Sequence, residues 1–323
     1  GDIVTSAPVV VGAPRGFDQN NDYLYYRESH LGRERVVYVG ANDGMLHCFR
    51  ASDGHELWAY IPTDCLDRLG SLLDPQYCHQ YFVNATPTVF DAYVGGYWRT
   101  ILLCGQGEGG DSYFALDVTD PYSPQLLWDV SHELYGESWS KPELARVDGY
   151  NDPVVFFGSG PDYLNGEAHI VALDLATGEE IWSDLLSTTV GLNMATSPIT
   201  LDHNFDGNAD LLYVSDLAGN VWRVELSSMG WSRSLLFETD QPIQASPIVT
   251  FNEFGHVMLY FGTGRYIESA DINDLTQQTF YCVIDNHSGT TLNRYDLVDQ
   301  TSYVTTLTPD NRGWYIDLVE ASG

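Results

Sequence analysis

The chain has 323 residues, 44% hydrophobic and 13% aromatic, a composition that supports a sizeable core and carries no signature of disorder. Its formal net charge is -31, from 45 acidic against 14 basic residues, and that field argues against binding to nucleic acid or to anionic lipid. No apolar run reaches the ~18 residues of a membrane span and no secretory leader opens the chain, so Gly1-Asp2-Ile3 reads as the start of a domain within something longer.

In chain order, a set of four short apolar runs recurs. The first set opens at Ala7-Pro8-Val9, continues through Val36–Gly40 and Leu46–Phe49, and ends on Asp53-Gly54-His55-Glu56-Leu57-Trp58. Inside it, Asp18-Gln19-Asn20-Asn21-Asp22 has oxygen side chains at alternate positions but neither a glycine nor a closing carboxylate, which makes it a poor cation loop. Leucines at 66, 69, 72 and 73 predict one short helix over Thr63–Leu73, capped by Thr63 or Asp64.

The second set runs from Thr86-Pro87-Thr88-Val89 through Ile101–Gly105 and Tyr113–Leu116 to Leu126-Leu127-Trp128. The third runs from Lys141-Pro142-Glu143-Leu144 through Val154–Gly158 and Ile170–Leu173 to the turn Asp174–Trp182, with Asp148–Asp152 as a hairpin turn. The fourth comprises Ser197-Pro198-Ile199, Leu211–Ser215 and Val221–Val224; the fifth comprises Ser246-Pro247-Ile248, Met258–Gly262 and Phe280–Val283. Residues 290–323 add strand-like material ending Gly313-Trp314-Tyr315-Ile316-Asp317-Leu318, read as the beginning of a sixth set.

Proline is tolerated at the start of an edge strand because no ladder hydrogen bond is required of it there. Four short strands per unit cannot bury both faces alone, so such units stack against one another. The expected fold is therefore an all-β β-propeller, residues 1–323 forming one domain with about five four-stranded blades and a partial further blade.

Between the first two runs of the fourth set lies Asp202-His203-Asn204-Phe205-Asp206-Gly207-Asn208-Ala209-Asp210. Oxygen-bearing side chains at alternate positions, with Gly207 free to take positive φ, suit a hard cation such as Ca²⁺, which takes six to eight oxygen ligands. A strand follows, where an EF-hand would continue into a helix. No Gly-x-Ser-x-Gly elbow and no His-Glu-x-x-His motif is present, and no carboxylate pair stands out for hydrolysis. His47, His79 and His169 read as structural.

Of the five cysteines, none has CxxC or zinc-ligand spacing. Cys48 and Cys282 read as small strand hydrophobes. Cys65 and Cys78 flank the irregular segment from Leu66 to Tyr77, which a disulfide between them can close; sequence leaves the pairing open.

Several segments, taken together, resemble one family. They are Gly1–Pro8, Tyr38-Val39-Gly40-Ala41-Asn42-Asp43-Gly44-Met45-Leu46-His47, Tyr113–Pro121, Gly219-Asn220-Val221-Trp222-Arg223 and Phe261–Tyr266. Along essentially its whole length the chain is similar to the C-terminal propeller of the PilY/PilC-type type IV pilus biogenesis and tip-adhesin proteins. The resemblance implies an irregular seven-bladed propeller within a larger protein whose N-terminal region is often von Willebrand-like.

The same resemblance implies a calcium loop of the Asp-x-Asn-x-Asp-x-x-x-Asp type. It maps onto Asp202, Asn204, Asp206 and Asp210, with the backbone carbonyl of Asn208 as the fifth ligand. It implies an extracellular place at the pilus tip or outer-membrane surface, minor pilins as partners, and host or abiotic surfaces as adhesion targets. The implied role is non-enzymatic: support of pilus assembly, control of retraction, and adhesion. No Arg-Gly-Asp tripeptide occurs. The alternative is a PQQ-dependent quinoprotein dehydrogenase, whose propellers share turns like Asp174–Trp182, although this chain has no adjacent cysteine pair.

Overall fold

The computed structural model describes residues 1–16, 20–132 and 134–318. The chain is all-β apart from one α-helix and a few 3₁₀ turns, and its strands form five sheets. The first sheet contains β1 (Val9–Val11), β2 (Val36–Ala41), β3 (Met45–Arg50) and β4 (Glu56–Tyr60) in that order, with helix α1 (Asn21–Ser29) between β1 and β2. The second contains β5 (Thr88–Val94), β6 (Tyr97–Gly105), β7 (Ser112–Asp117) and β8 (Gln125–Ser131). The third contains β9 (Glu143–Ala145), β10 (Val154–Gly158), β11 (Glu167–Asp174) and β12 (Glu180–Thr188).

The fourth sheet is built from β13 (Ile199–Leu201), β14 (Leu211–Ser215), β15 (Asn220–Glu225) and β16 (Ser232–Glu238). The fifth begins with β17 (Ile248–Phe251), β18 (Val257–Gly262) and β19 (Gln278–Asp285). Two short strands, β20 (Leu292–Asn293) and β21 (Val298–Asp299), precede β22 (Gly313–Leu318). β20 adds in parallel to β16, and β21 adds in parallel to β22.

Each of the five recurring prolines stands one residue before the first strand of its sheet: Pro8, Pro87, Pro142, Pro198 and Pro247. That is where a residue without an N–H costs least. A second regularity lies between the third and fourth strands, where one residue of the fourth strand has no partner. It falls at Leu57, Leu127 and Leu236 in the first, second and fourth sheets. Such bulges steepen the local twist of a strand pair.

Two compact units emerge from the contacts. The first comprises Gly1–Arg146, Tyr150–Gly160 and Val171–Ser183; the second comprises Val147–Gly149, Pro161–Ile170 and the described residues from Asp184 onward. The first unit buries Ile101, Leu103, Tyr113, Phe157, Val171 and Leu173 in one cluster, in which the Tyr113 and Phe157 rings stack with centroids 4.0 Å apart. The second unit buries Tyr213, Phe237, Leu259, Phe261 and Tyr281. These are the inward residues of alternating strands, and each fully buried aliphatic or aromatic side chain contributes roughly 1.5–3 kcal/mol.

Three sequence expectations are corrected. Gly313–Leu318 does not begin a sixth set: β22 pairs antiparallel with β19, Cys282 opposite Trp314 and Phe280 opposite Ile316, and supplies the missing fourth strand of the fifth sheet. The apolar run alone could not say which neighbour it would join across a long connection.

Thr63–Leu73 does not form one capped helix. It forms two 3₁₀ turns, Thr63–Cys65 and Leu69–Leu73, neither with a side-chain cap. Asp64 turns away to accept from Gln106 Nε2 at 2.7 Å and Ser112 Oγ at 3.2 Å.

Third, helix α1 stands where sequence showed only an acidic cluster. Asn20 is its N-cap and accepts from the Asp22 amide at 3.0 Å, while Asp18 and Gln19 of that cluster lie outside the described residues. The helix buries only Tyr23 and Tyr26, whose hydroxyls reach Asp91 and Thr100 in the second sheet.

Candidate metal centre

The Asp202–Asp210 segment connects β13 to β14. Its base is tied by two backbone bonds, Asp210 N to Leu201 O at 3.0 Å and Leu226 N to Asp210 O at 2.7 Å. Between these ends the chain coils tightly, with Gly207 at φ +95° and Phe205 at φ +63°. Glycine takes that region freely, whereas a phenylalanine there is strained. Phe205 is held by its ring, whose centroid lies 5.6 Å from that of Phe251.

The side chains turn inward. Asp202 accepts from the amides of Asp206 and Gly207 at 3.1 and 2.8 Å. Asp210 Oδ2 accepts from the amides of His203 and Asn204 at 2.9 and 3.1 Å. Asp206 Oδ1 accepts from Asn208 N at 2.8 Å. Asn204 Nδ2 donates to Asp206 Oδ2 and Asp210 Oδ1, both at 3.1 Å, so one amide group sits where two carboxylates converge.

The side chains are of the kind that suits a hard cation: three carboxylates and the Asn204 amide, with no sulfur. Within the loop the Asn204 amide joins Asp206 to Asp210, while Asp202 is bonded only to the backbone amides of Asp206 and Gly207. Among the described residues, no three histidine, cysteine, aspartate or glutamate side chains are gathered closely enough to hold a metal.

The loop is also joined to the interior of the second unit. His203 meets His287 edge to face at 4.9 Å between centroids. The amide of His287 donates to Asp285 Oδ1 at 2.8 Å. Asp285 is itself buried, accepting from Arg223 at 3.0 and 3.1 Å and from the Tyr213 hydroxyl at 3.0 Å. Asp285 and Arg223 carried no sequence signal, because neither lies in a spaced cluster.

The remaining candidates have structural settings. His47 bonds Glu56 at 2.7 Å and Asp43 at 3.1 Å, His79 bonds Asp2 at 3.0 Å, and His169 bonds Glu167 at 3.0 Å. Asp148–Asp152 is a turn joining the antiparallel pair β9 and β10. All five cysteines are free thiols, which answers the Cys65–Cys78 question: Cys65 is buried beside Gln106 Nε2 at 3.0 Å, and Cys78 is exposed. Burial pushes the Cys65 and Cys48 thiols up to about 12 and Cys282 to about 11, far from thiolate reactivity.

The Asp174–Trp182 turn is likewise explained by packing. Thr177 N and Oγ1 both donate to Asp174 Oδ1, at 2.9 and 3.0 Å. Gly178 has φ +73°, and a Cβ there would meet Trp128 Cγ at 2.6 Å. The glycine and the aspartate are therefore demanded by the turn itself.

Comparison with known proteins agrees with this architecture. Residues 1–300 match the model of the PilY1 beta-propeller domain. A type IV pilus biogenesis factor PilY1 homolog from Xylella fastidiosa (strain Temecula1) is 35% identical over 353 residues, covering 99% of this chain and 28% of that protein. The type IV pilus biogenesis factor PilY1 of Pseudomonas aeruginosa PAO1 is 34% identical over 336 residues, covering 89% of this chain and 29% of that protein. The chain thus spans less than a third of the length of these relatives. The crystal structure of the Pseudomonas aeruginosa PilY1 C-terminal domain superposes with a TM-score of 0.82 at 29% identity, covering 96% of this chain and 77% of that one. On its sheet architecture, its family match over residues 1–300 and these relatives, the chain belongs to the PilY1 β-propeller family.

Proposed function

We propose that this chain is the calcium-binding propeller of a pilus-tip-associated protein that acts outside the cell. In that reading it supports assembly of type IV pili with minor pilins, restrains their retraction and contributes to surface adhesion. Family membership supports the pilus role, since the relatives are named as type IV pilus biogenesis factors. The observation that supports the calcium part is the coiled Asp202–Asp210 loop between β13 and β14, in which Asn204 joins Asp206 to Asp210 and Asp202 accepts from the amides of Asp206 and Gly207. Asn208 would add its backbone carbonyl. Bound Ca²⁺ would offset two of the three carboxylate charges of the loop in a chain of net charge -31, stiffening the loop and lowering local repulsion.

Calorimetric titration of the chain with Ca²⁺ tests the metal. Saturable binding that Asp206→Ala abolishes is expected, and no heat from the unaltered chain sinks the proposal. The pilus role is tested separately, by replacing the corresponding domain in a piliated bacterium. Loss of surface pili and of twitching is expected from deletion, and intact piliation would count against the role. Pilus loss without calcium dependence would keep the family role and remove the metal.

A further inference from the structure

Thirteen of the 14 basic residues are arginines, and among the described residues six of them have a carboxylate within reach. Arg50, Arg99, Arg223, Arg233, Arg265 and Arg294 each form an ion pair. Arg15, Arg33 and Arg35 do not, and these three line a single concavity of about 370 Å³ in the first unit. Arg33 is held by neutral acceptors, with Nε on Gly12 O at 2.6 Å and Nη1 on Thr100 Oγ1 at 2.7 Å. Among the described residues the side chains of Arg15 and Arg35 have no hydrogen-bond or ion-pair partner.

The acids nearby are already engaged. Glu34 pairs with Arg50 at 3.5 Å and accepts from the Tyr122 hydroxyl. Asp91 accepts from Tyr23 Oη at 2.8 Å and Thr100 Oγ1 at 2.7 Å. The concavity is continuous with a second one that shares Gly12, Ala13, Arg15 and Arg33 and extends along β1 to Phe90. There Val10, on the end strand of its sheet, is 60% exposed. Unspent cations thus adjoin an apolar strip at a sheet edge.

We propose that this groove binds an extended acidic peptide segment of a protein partner, its carboxylates on Arg15 and Arg35 and an apolar residue over Val10. Guanidinium groups bind carboxylates through paired donors, and sheet edges receive extended chains. A free phosphate would satisfy the arginines and leave the Val10 strip uncovered. The overall charge of -31 does not forbid this: charges beyond about 8 Å are screened at physiological salt, so the local cations decide. The inference rests on the groove alone and is independent of the calcium loop.

The test is fluorescence anisotropy of the whole chain at physiological salt with a short labelled peptide of alternating glutamate and valine. Saturable binding is expected, weakened about tenfold or more (~1.4 kcal/mol) by Arg15→Glu combined with Arg35→Glu. Arg35→Lys, which keeps the charge but loses the paired donors, should bind more weakly than the unaltered chain and more tightly than the charge-reversed variant, and all variants should melt alike. The glutamine–valine peptide should not bind. Absence of binding by the glutamate peptide, equal binding of the glutamine peptide, or full binding by the reversed variant would each overturn the proposal. So would displacement by inorganic phosphate at the peptide's own concentration, which would make the groove a simple anion site.

Discussion

The Asp202–Asp210 loop and the Asp285–Arg223 pair both place carboxylates in the second unit, and they satisfy them by opposite means. In the loop every carboxylate is bonded to groups within eight positions along the chain, and the middle of the loop, residues 204–207, is exposed. Asp285 is 1% exposed and takes its partners from strands 62 and 72 residues away, Arg223 and Tyr213. A locally satisfied loop can open, admit a cation and close again while the sheets stay intact. A buried long-range pair cannot give up one member without stranding the other in a poor dielectric. Acidic residues in this chain are therefore of two kinds, those available for chemistry and those committed to the fold.

The largest effect is expected from breaking the committed pair. Asp285→Ala leaves the buried Arg223 with only the more exposed Glu225, 3.1 Å away, and Arg223 Nε already lacks a partner, so unfolding free energy should drop by about 3 kcal/mol. Urea denaturation measures this; a loss as small as that of a surface substitution would erase the contrast drawn above.

Next comes the loop. With Ca²⁺ at about a hundred times its dissociation constant, binding adds ~2.7 kcal/mol, which Asp206→Ala should remove. In chelator the same variant should melt almost as the unaltered chain does. A large loss without calcium would show the loop to be structural in its own right.

A further local carboxylate gives a pH signature. Asp271 accepts from the amides of Ile267 and Glu268 and from Arg265, which together hold its carboxyl down at about 2. Because the folded value lies below the ordinary one, its contribution is complete above about pH 4 and is lost as pH falls from there through about 2. Asp271→Asn should flatten acid denaturation across that window, and an unchanged acid limb would remove Asp271 from the account. The smallest effect is expected at the helix cap: Asn20→Ala should cost about 0.5–1 kcal/mol by thermal melting, since the helix is pinned by its two tyrosines.

The repeat was legible because its signals are local and steric. A proline before each first strand and alternating apolar residues need no distant information. The loop was legible for the same reason: its ligand spacing and Gly207 lie within nine residues. Helix α1 was hidden because its amphipathic face is only two tyrosines, whose burial depends on the second sheet. The groove of Arg15, Arg33 and Arg35 was equally invisible, since an arginine is unpaired only relative to neighbours brought by folding.

The amino-acid sequence by itself determined the strand count of the first four sheets to within one strand, the turn chemistry and the donor set of the loop. All of these depend on backbone sterics and side chains close in sequence. Tertiary structure alone decided that Gly313–Leu318 completes the fifth sheet, that Cys65 and Cys78 stay apart, and that Asp285 meets Arg223. Those outcomes turn on which distant surfaces exclude water together, and burial of that kind is a property of the assembled sheets.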